Sequence, residues 1–344
     1  MPRRTALLVG INYRGTENEL NGCYNDVVNV SQYLRTSLGY SESSMTVLTD
    51  GNRDSPAFPA SVAPTRQNIL AGMAALVAGM VAGDEAVFHF SGHGTLVRDT
   101  NGDELTGLDS CLCPLDYNAP SAAGGGVVTD DEIRALLVNK VPRGARLYVF
   151  LDCCHNGTGC DVRFKYEDFS ILLRPPSART AAIWRTQQKA FANPKYTETA
   201  GEVFMISGSR DEQTSADAYI NNAFAGALTY AVFAILRANQ ASIRTYSWSS
   251  LLRDVRHFMR ANRYSQIPQL MTGQLITPAR PVFAVVAAVA AGARGGAALE
   301  LSSGASGASG RGVSASDSPA TLFSFRPKSG SKPTTPRRSI QFIH

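Results

Sequence analysis

Short apolar runs alternate with stretches of helical period along most of the chain, and this order constrains the fold more than any other feature. Residues 5–11, 45–48, 85–90, 146–151 and 202–207 read as buried strands. Between them, 25–38 places Val27, Val30, Tyr33, Leu34 and Leu38 at helical spacing and stops at Gly39. A second helix opens at Pro64-Thr65, carries Ile69, Met73, Leu76 and Met80, and closes at Gly83. A third covers 130–138 behind Thr129, a ready N-cap. Parallel strands need long crossovers, which helices supply, so the order predicts an α/β fold around a mostly parallel sheet. Further on, 223–237 and 247–262 read as helices and 281–288 as a last strand. Residues 158–199 break the pattern with Pro175-Pro176 and Pro194, and read as a long surface loop with one short helix near Trp184.

Composition narrows the function classes. The chain has 344 residues, 44% hydrophobic and 18% charged, which suits one large globular domain or two ordinary ones. The whole net charge of +5 lies in 281–344, with seven Lys/Arg against two Asp/Glu. The preceding residues balance, so a basic nucleic-acid-binding fold is not expected. From 291 onward the chain is rich in Gly, Ser and Ala, then in Pro, Ser, Arg and Lys. Such a segment buries too little apolar area to offset its ordering entropy and is expected to be a disordered basic tail. Six cysteines without a paired CxxC pattern support neither a disulfide framework nor a zinc site. Cys111 and Cys113, two apart in a strand, are expected to pack in the core. The apolar runs at 6–11 and 282–291 are too short for a signal peptide or a membrane span. A soluble cytoplasmic protein with reduced thiols is the expectation.

Two strand ends carry chemistry. One delivers His93 between Gly92 and Gly94; the other delivers Asp152, Cys153 and Cys154. Open parallel sheets collect reactive groups at the carboxyl ends of their strands. A cysteine and a histidine arriving there from separate strands suit nucleophilic catalysis, since the imidazole takes the thiol proton and later protonates the leaving amine. Gly92 and Gly94 leave backbone N–H groups open to an incoming carbonyl, and Gly94 N–H with Cys154 N–H is the candidate oxyanion pair. Strand alternation puts Leu151 and Cys153 on one face and Asp152 and Cys154 on the other. Leu151 belongs in the core, which favours Cys154 as nucleophile, although the mirror-image assignment stays open at a strand end. Alone, SGHG is most often a turn and a buried cysteine most often a small hydrophobe; it is their joint placement that points to a site.

FHFSGHGT at 88–95 and FLDCCHNG at 150–157 resemble the two catalytic blocks of the metacaspases, caspase-like cysteine peptidases. ALLVGINY at 6–13, LNGCYNDV at 20–27, VTDDEI at 128–133, MISGSRDEQTSADA at 205–218 and IPQL at 267–270 agree in order. The order is that of type I members, without the usual N-terminal proline-rich or zinc-finger segment. The resemblance implies a caspase-like sandwich, a mostly parallel sheet with helices on both faces. It divides the chain into a large-subunit-like catalytic region (1–160), a basic intersubunit loop (161–200), a small-subunit-like region of the same domain (201–290) and the tail (291–344). It implies a His93–Cys154 dyad and an acidic specificity pocket of Asp26 and Asp152 lined by Cys23 and Ser91. Two carboxylates beside the nucleophile would hold a guanidinium or ammonium group, hence endopeptidase cleavage after Arg or Lys of peptide or protein substrates. Without the resemblance, Asp26 would read as a carboxylate at a helix N-terminus. The resemblance also implies a Ca2+ site on Asp109, Asp130, Asp131 and Asp161, an all-oxygen set such as calcium takes; Asp130 and Asp131 alone would merely favour a helix start.

Further expectations follow from the family: calcium activation, a zymogen that processes itself in the loop carrying Arg163, Lys165, Arg174, Arg179, Arg185, Lys189 and Lys195, a monomer, and a part in programmed cell death. Asn156, Tyr24 and Met271 depart from the family's pattern and bear on subsites rather than on the reaction class. The competing readings are a catalytically silent caspase-like interaction protein and a nucleotide-binding α/β protein. The latter lacks any GxGxxG or P-loop.

Overall fold

The computed structural model describes residues 2–51, 58, 62–102, 107–119, 126–153, 159–166, 192–193, 195–208, 217–220, 223–277 and 279–283. They fall within one unit, Met1–Ala288. The expected tail, most of the basic loop including Trp184, and Cys154 lie outside the described residues.

A seven-stranded sheet runs in the order β2 (Met45–Thr49), β1 (Arg4–Gly10), β3 (Glu85–Ser91), β7 (Arg146–Asp152), β9 (Glu202–Ser207), β12 (Gln269–Thr272) and β8 (Phe164–Tyr166). The first five strands are parallel; β12 and β8 join antiparallel. The fold is therefore the α/β class read from strand–helix alternation. Two smaller sheets complete the strands: β4 (Gly94–Arg98), β5 (Leu108–Leu112) and β6 (Val128–Thr129) in one, and the β10 (Asp217–Ile220) and β11 (Ala223–Gly226) hairpin in the other.

Side chains alternate across the main sheet and divide the core in two. Ala6, Leu8, Tyr148, Phe150, Phe204 and Ile206 pack beneath helices α1 (Cys23–Leu38), α4 (Ala227–Ala238) and α5 (Trp248–Ala261). Leu7, Val9, Leu147, Val149, Leu151 and Cys153 pack on the opposite face with α2 (Arg66–Val77) and α3 (Asp130–Leu136). Helices thus cover both faces. Thr129 forms a full capping box with Glu132, which fixes where α3 begins.

Several local expectations are corrected. Helix α2 ends at Val77, before Gly83. The stretch expected as one helix from 223 is a strand to Gly226 and a helix from Ala227. Of the strand expected over 281–288, Pro281 makes one isolated bridge to Ser247, and 284–288 lie outside the described residues. The 158–199 segment, expected to be a surface loop with one short helix, contributes β8, which covers β12 at the sheet's edge.

Candidate active site

Strands β1, β3 and β7 are adjacent and parallel, with Gly10 opposite Ser91 and Ser91 opposite Asp152 in register. The segments leaving their carboxyl ends therefore emerge side by side. These are the 11–22 loop, the Gly92-His93-Gly94 turn and the segment entering Cys153.

His93 is half-buried and held on every side. Its Nε2 lies 2.7 Å from the carbonyl oxygen of Asn18. A carbonyl only accepts, so Nε2 carries the proton and Nδ1 keeps the lone pair in the neutral ring. The His93 N–H donates to the Tyr13 hydroxyl at 2.9 Å, and its carbonyl accepts from Cys113 N–H at 3.0 Å. Gly94 follows directly and heads β4. The Gly92 N–H, expected to be open, donates instead to the Asp152 carbonyl at 3.3 Å. It is therefore not an oxyanion donor, which corrects that expectation.

The Asp152–Cys153 step follows the alternation. Leu151 and Cys153 are both fully buried in the α2/α3 core, and Asp152 turns to the other face. There it meets the N-terminus of α4: Thr229 N–H donates to Asp152 Oδ2 at 2.8 Å. Asp26, in the first turn of α1, accepts from Gly226 N–H at 3.0 Å on each oxygen and from Ser91 Oγ–H at 2.6 Å. Cys23 lies one helical turn before Asp26, buried on the same helix. The four expected pocket residues are thus gathered at one place. Both carboxylates are buried, at 0% and 4% exposure. Gly226 sits between them: a Cβ there would lie 2.2 Å from Asp152 Oδ2 and 2.7 Å from Asp26 Oδ2. Bare backbone is the only solution at that point. Neither Gly226 nor Thr229 has a signature in sequence, since each acts through its amide.

The four expected metal carboxylates are placed differently. Asp109, Asp130 and Asp161 are buried. Asp130 accepts from Ser110 N–H at 2.8 Å, and Asp161 Oδ1 accepts from Tyr196 O–H at 2.9 Å. Both carboxylate oxygens of Asp131 accept from Asn101 Nδ2–H, at 2.8 and 2.7 Å. The Arg134 guanidinium donates to the Asp161 carbonyl and lies 5.3 Å over the Tyr196 ring. Among the described residues, no three His, Cys, Asp or Glu side chains converge as a ligand set. The all-oxygen chemistry and the burial of three carboxylates suit a hard cation; the four side chains as placed do not yet enclose one.

The comparisons decide the family. A Metacaspase-1 of Schizosaccharomyces pombe is 34% identical over 298 residues, covering 78% of this chain and 67% of its own length. One of Pyricularia oryzae is 36% identical, covering 78% and 71%. The chain belongs to the metacaspase family. The family model described as metacaspase, peptidase C14 domain, matches residues 4–163 of this metacaspase, which takes in β1 through the Asp161 turn. The chain spans 61% of a Yarrowia lipolytica Metacaspase-1, at 36% identity. The fold is shared with a crystal structure of a Geobacter sulfurreducens protein, at 24% identity and a TM-score of 0.54, covering 83% of this chain and all of that one. As a metacaspase the protein is a cysteine-type peptidase, a hydrolase acting on proteins. No helix among the described residues is long and apolar enough to cross a membrane.

Proposed function

We propose that this metacaspase cleaves peptide bonds after Arg or Lys through a Cys154–His93 dyad. The observation that carries the reading is the convergence of two buried carboxylates, Asp26 and Asp152, beside the strand ends that present His93 and lead to Cys154. Buried carboxylates are costly unless answered by donors. Backbone amides and one hydroxyl donate to them, and a substrate guanidinium or ammonium would bring the opposite charge. An Asp side chain at that position would be repelled.

In this mechanism His93 Nδ1 takes the Cys154 thiol proton and the thiolate attacks the scissile carbonyl. The N–H groups of Gly94 and Cys154 stabilise the oxyanion. The His93 imidazolium protonates the leaving amine, and water, deprotonated by His93, hydrolyses the thioester. Asp109, Asp130, Asp131 and Asp161 are the residues that would hold Ca2+ if their side chains were drawn together, offering carboxylate oxygens to a hard cation. Self-processing belongs to the stretch between β8 and Ala192. Lys165 is paired within the sheet opposite Met271, and Arg163 donates to the Tyr196 carbonyl, so both are poor substrates, whereas Arg174, Arg179, Arg185 and Lys189 lie outside the described residues. A monomer fits the covering of β12 by β8 at the sheet's edge.

The test uses fluorogenic peptides with Arg, Lys or Asp before the scissile bond, with calcium and with chelator, on the wild type and Cys154→Ala. Calcium-dependent cleavage after Arg and Lys, lost in the variant, is the expected result, with self-cleavage fragments mapping to 167–191 by mass spectrometry. Cleavage after Asp, or activity surviving in Cys154→Ala, overturns the reading.

A further inference from the structure

Tyr13 is a buried residue to which the reaction as written gives no task. It follows β1 in the ALLVGINY run, is 1% exposed, and has a positive φ of 51°. A non-glycine residue rarely holds that conformation without a compensating role, because its Cβ crowds the backbone. The compensation is visible. The His93 N–H donates to the Tyr13 hydroxyl at 2.9 Å; that hydroxyl donates to the Cys113 carbonyl at 2.5 Å; and Cys113 N–H donates to the His93 carbonyl at 3.0 Å. The three bonds close a ring that grips both peptide groups flanking the His93 Cα.

The side chain of His93 is held as well. The Tyr13 and His93 rings lie 4.8 Å apart, tilted by 39°. Tyr117 packs edge-on against Tyr13 and accepts a 2.8 Å hydrogen bond from the Asn18 amide, whose residue supplies the carbonyl for His93 Nε2. Gly92 leaves room for this arrangement, since a Cβ there would stand 2.9 Å from the Tyr13 oxygen. Burial pushes the Tyr13 hydroxyl well above the usual tyrosine range, so it stays protonated and remains a donor.

We propose that Tyr13 is a positioning residue for catalysis, its hydroxyl locking the His93 backbone so that Nδ1 faces the thiol and the adjoining Gly94 N–H faces the oxyanion. The inference rests on His93 being the base. It predicts that loss of the hydroxyl lowers turnover and leaves substrate binding alone, because the Asp26 and Asp152 carboxylates meet Gly226 and Thr229 at the start of α4, whereas Tyr13 packs in the core of the α2/α3 face.

The test compares Tyr13→Phe, His93→Ala and Tyr33→Phe in the full chain. Tyr33 is a buried tyrosine of the α1 core, remote from His93, and controls for losing a hydroxyl. Tyr13→Phe is expected to lower kcat at least about tenfold with KM within twofold, and to slow alkylation of Cys154 by iodoacetamide in step, while Tyr33→Phe keeps wild-type rates. A kcat within twofold of wild type in Tyr13→Phe, with His93→Ala inactive, overturns the role of Tyr13 and leaves the dyad standing. A raised KM at unchanged kcat also overturns it. Full activity in His93→Ala removes both. Should Tyr13→Phe not fold, hydrogen exchange on the wild type decides: the His93 amide is expected to be protected at least about 100-fold, and an unprotected amide refutes the ring.

Discussion

At the scale of single residues, the pocket depends on one atom that is missing. Gly226 lets Asp26 and Asp152 approach a common point, and any side chain there collides with both. Gly226→Ala is expected to raise KM for Arg and Lys peptides more than about tenfold while iodoacetamide still alkylates Cys154 at the wild-type rate, with a stability cost of about 1–3 kcal/mol from overpacking. Unchanged KM would show that the two carboxylates are not the binding pocket. Asp26 itself illustrates how little a residue type reveals. In sequence it is indistinguishable from any acidic residue in a first helical turn; in the fold it is fully buried and reads a backbone amide 200 residues away.

At the scale of elements, the parallel strands are pinned at the end remote from the site. Arg4, Glu85, Arg146 and Glu202 are register partners across β1, β3, β7 and β9, so charges alternate along the sheet. Arg146 bridges Glu85 at 3.1 Å and Glu202 at 2.9 Å, and Arg280 adds a further contact to Glu202. Arg146 and Glu85 expose only 14% and 8% of their side chains, so removing one charge strands the others in a poorly solvated place. Arg146→Ala is expected to cost about 2–4 kcal/mol in urea unfolding, with kcat/KM at 25 °C unchanged because a seven-residue strand, about 20 Å, separates the ladder from His93. A loss of activity without loss of stability would contradict this. The ladder is visible in sequence only after register is known, since each member looks like an ordinary surface charge. Strands β8 and β12 escaped for a related reason: three and four residues long, they give too short a run for periodicity to register.

At the scale of the whole molecule, the layer between sheet and helices contains a histidine that cannot charge. His89 on β3 is fully buried, its Nε2 lies 3.2 Å from the Thr229 hydroxyl on α4, and its Nδ1 has no hydrogen-bond partner among the described residues. Burial lowers its pKa from 6.5 to about 3. The unfolded chain therefore takes a proton at this site between pH 6.5 and 3 while the folded chain does not, so this contribution to stability is complete above pH 6.5 and declines as pH falls. Between pH 7 and 4.5 the loss is about 3 kcal/mol, at about 1.4 kcal/mol per pH unit. Urea unfolding of the wild type and His89→Gln at both pH values measures it; the variant is expected to show a shallower acid decline, and identical slopes would refute the assignment. The same contact ties β3 to the helix whose N-terminus holds Asp152.

The sequence by itself determined the strand–helix alternation, the parallel sheet that alternation demands, and the arrival of His93 and Cys153 at its carboxyl edge. It also placed Cys153 in the core beside Leu151. These follow from periodicity and chain connectivity, which act over a few residues and are written locally. The tertiary structure alone decided that Gly92 spends its amide on Asp152, that Asp26 and Asp152 meet around Gly226, and that Tyr13 closes a ring with Cys113 around His93. Apart from the Cys113–His93 bond, those are contacts between residues some 60 to 200 positions apart. They depend on register and helix docking, and no local pattern of residues encodes either.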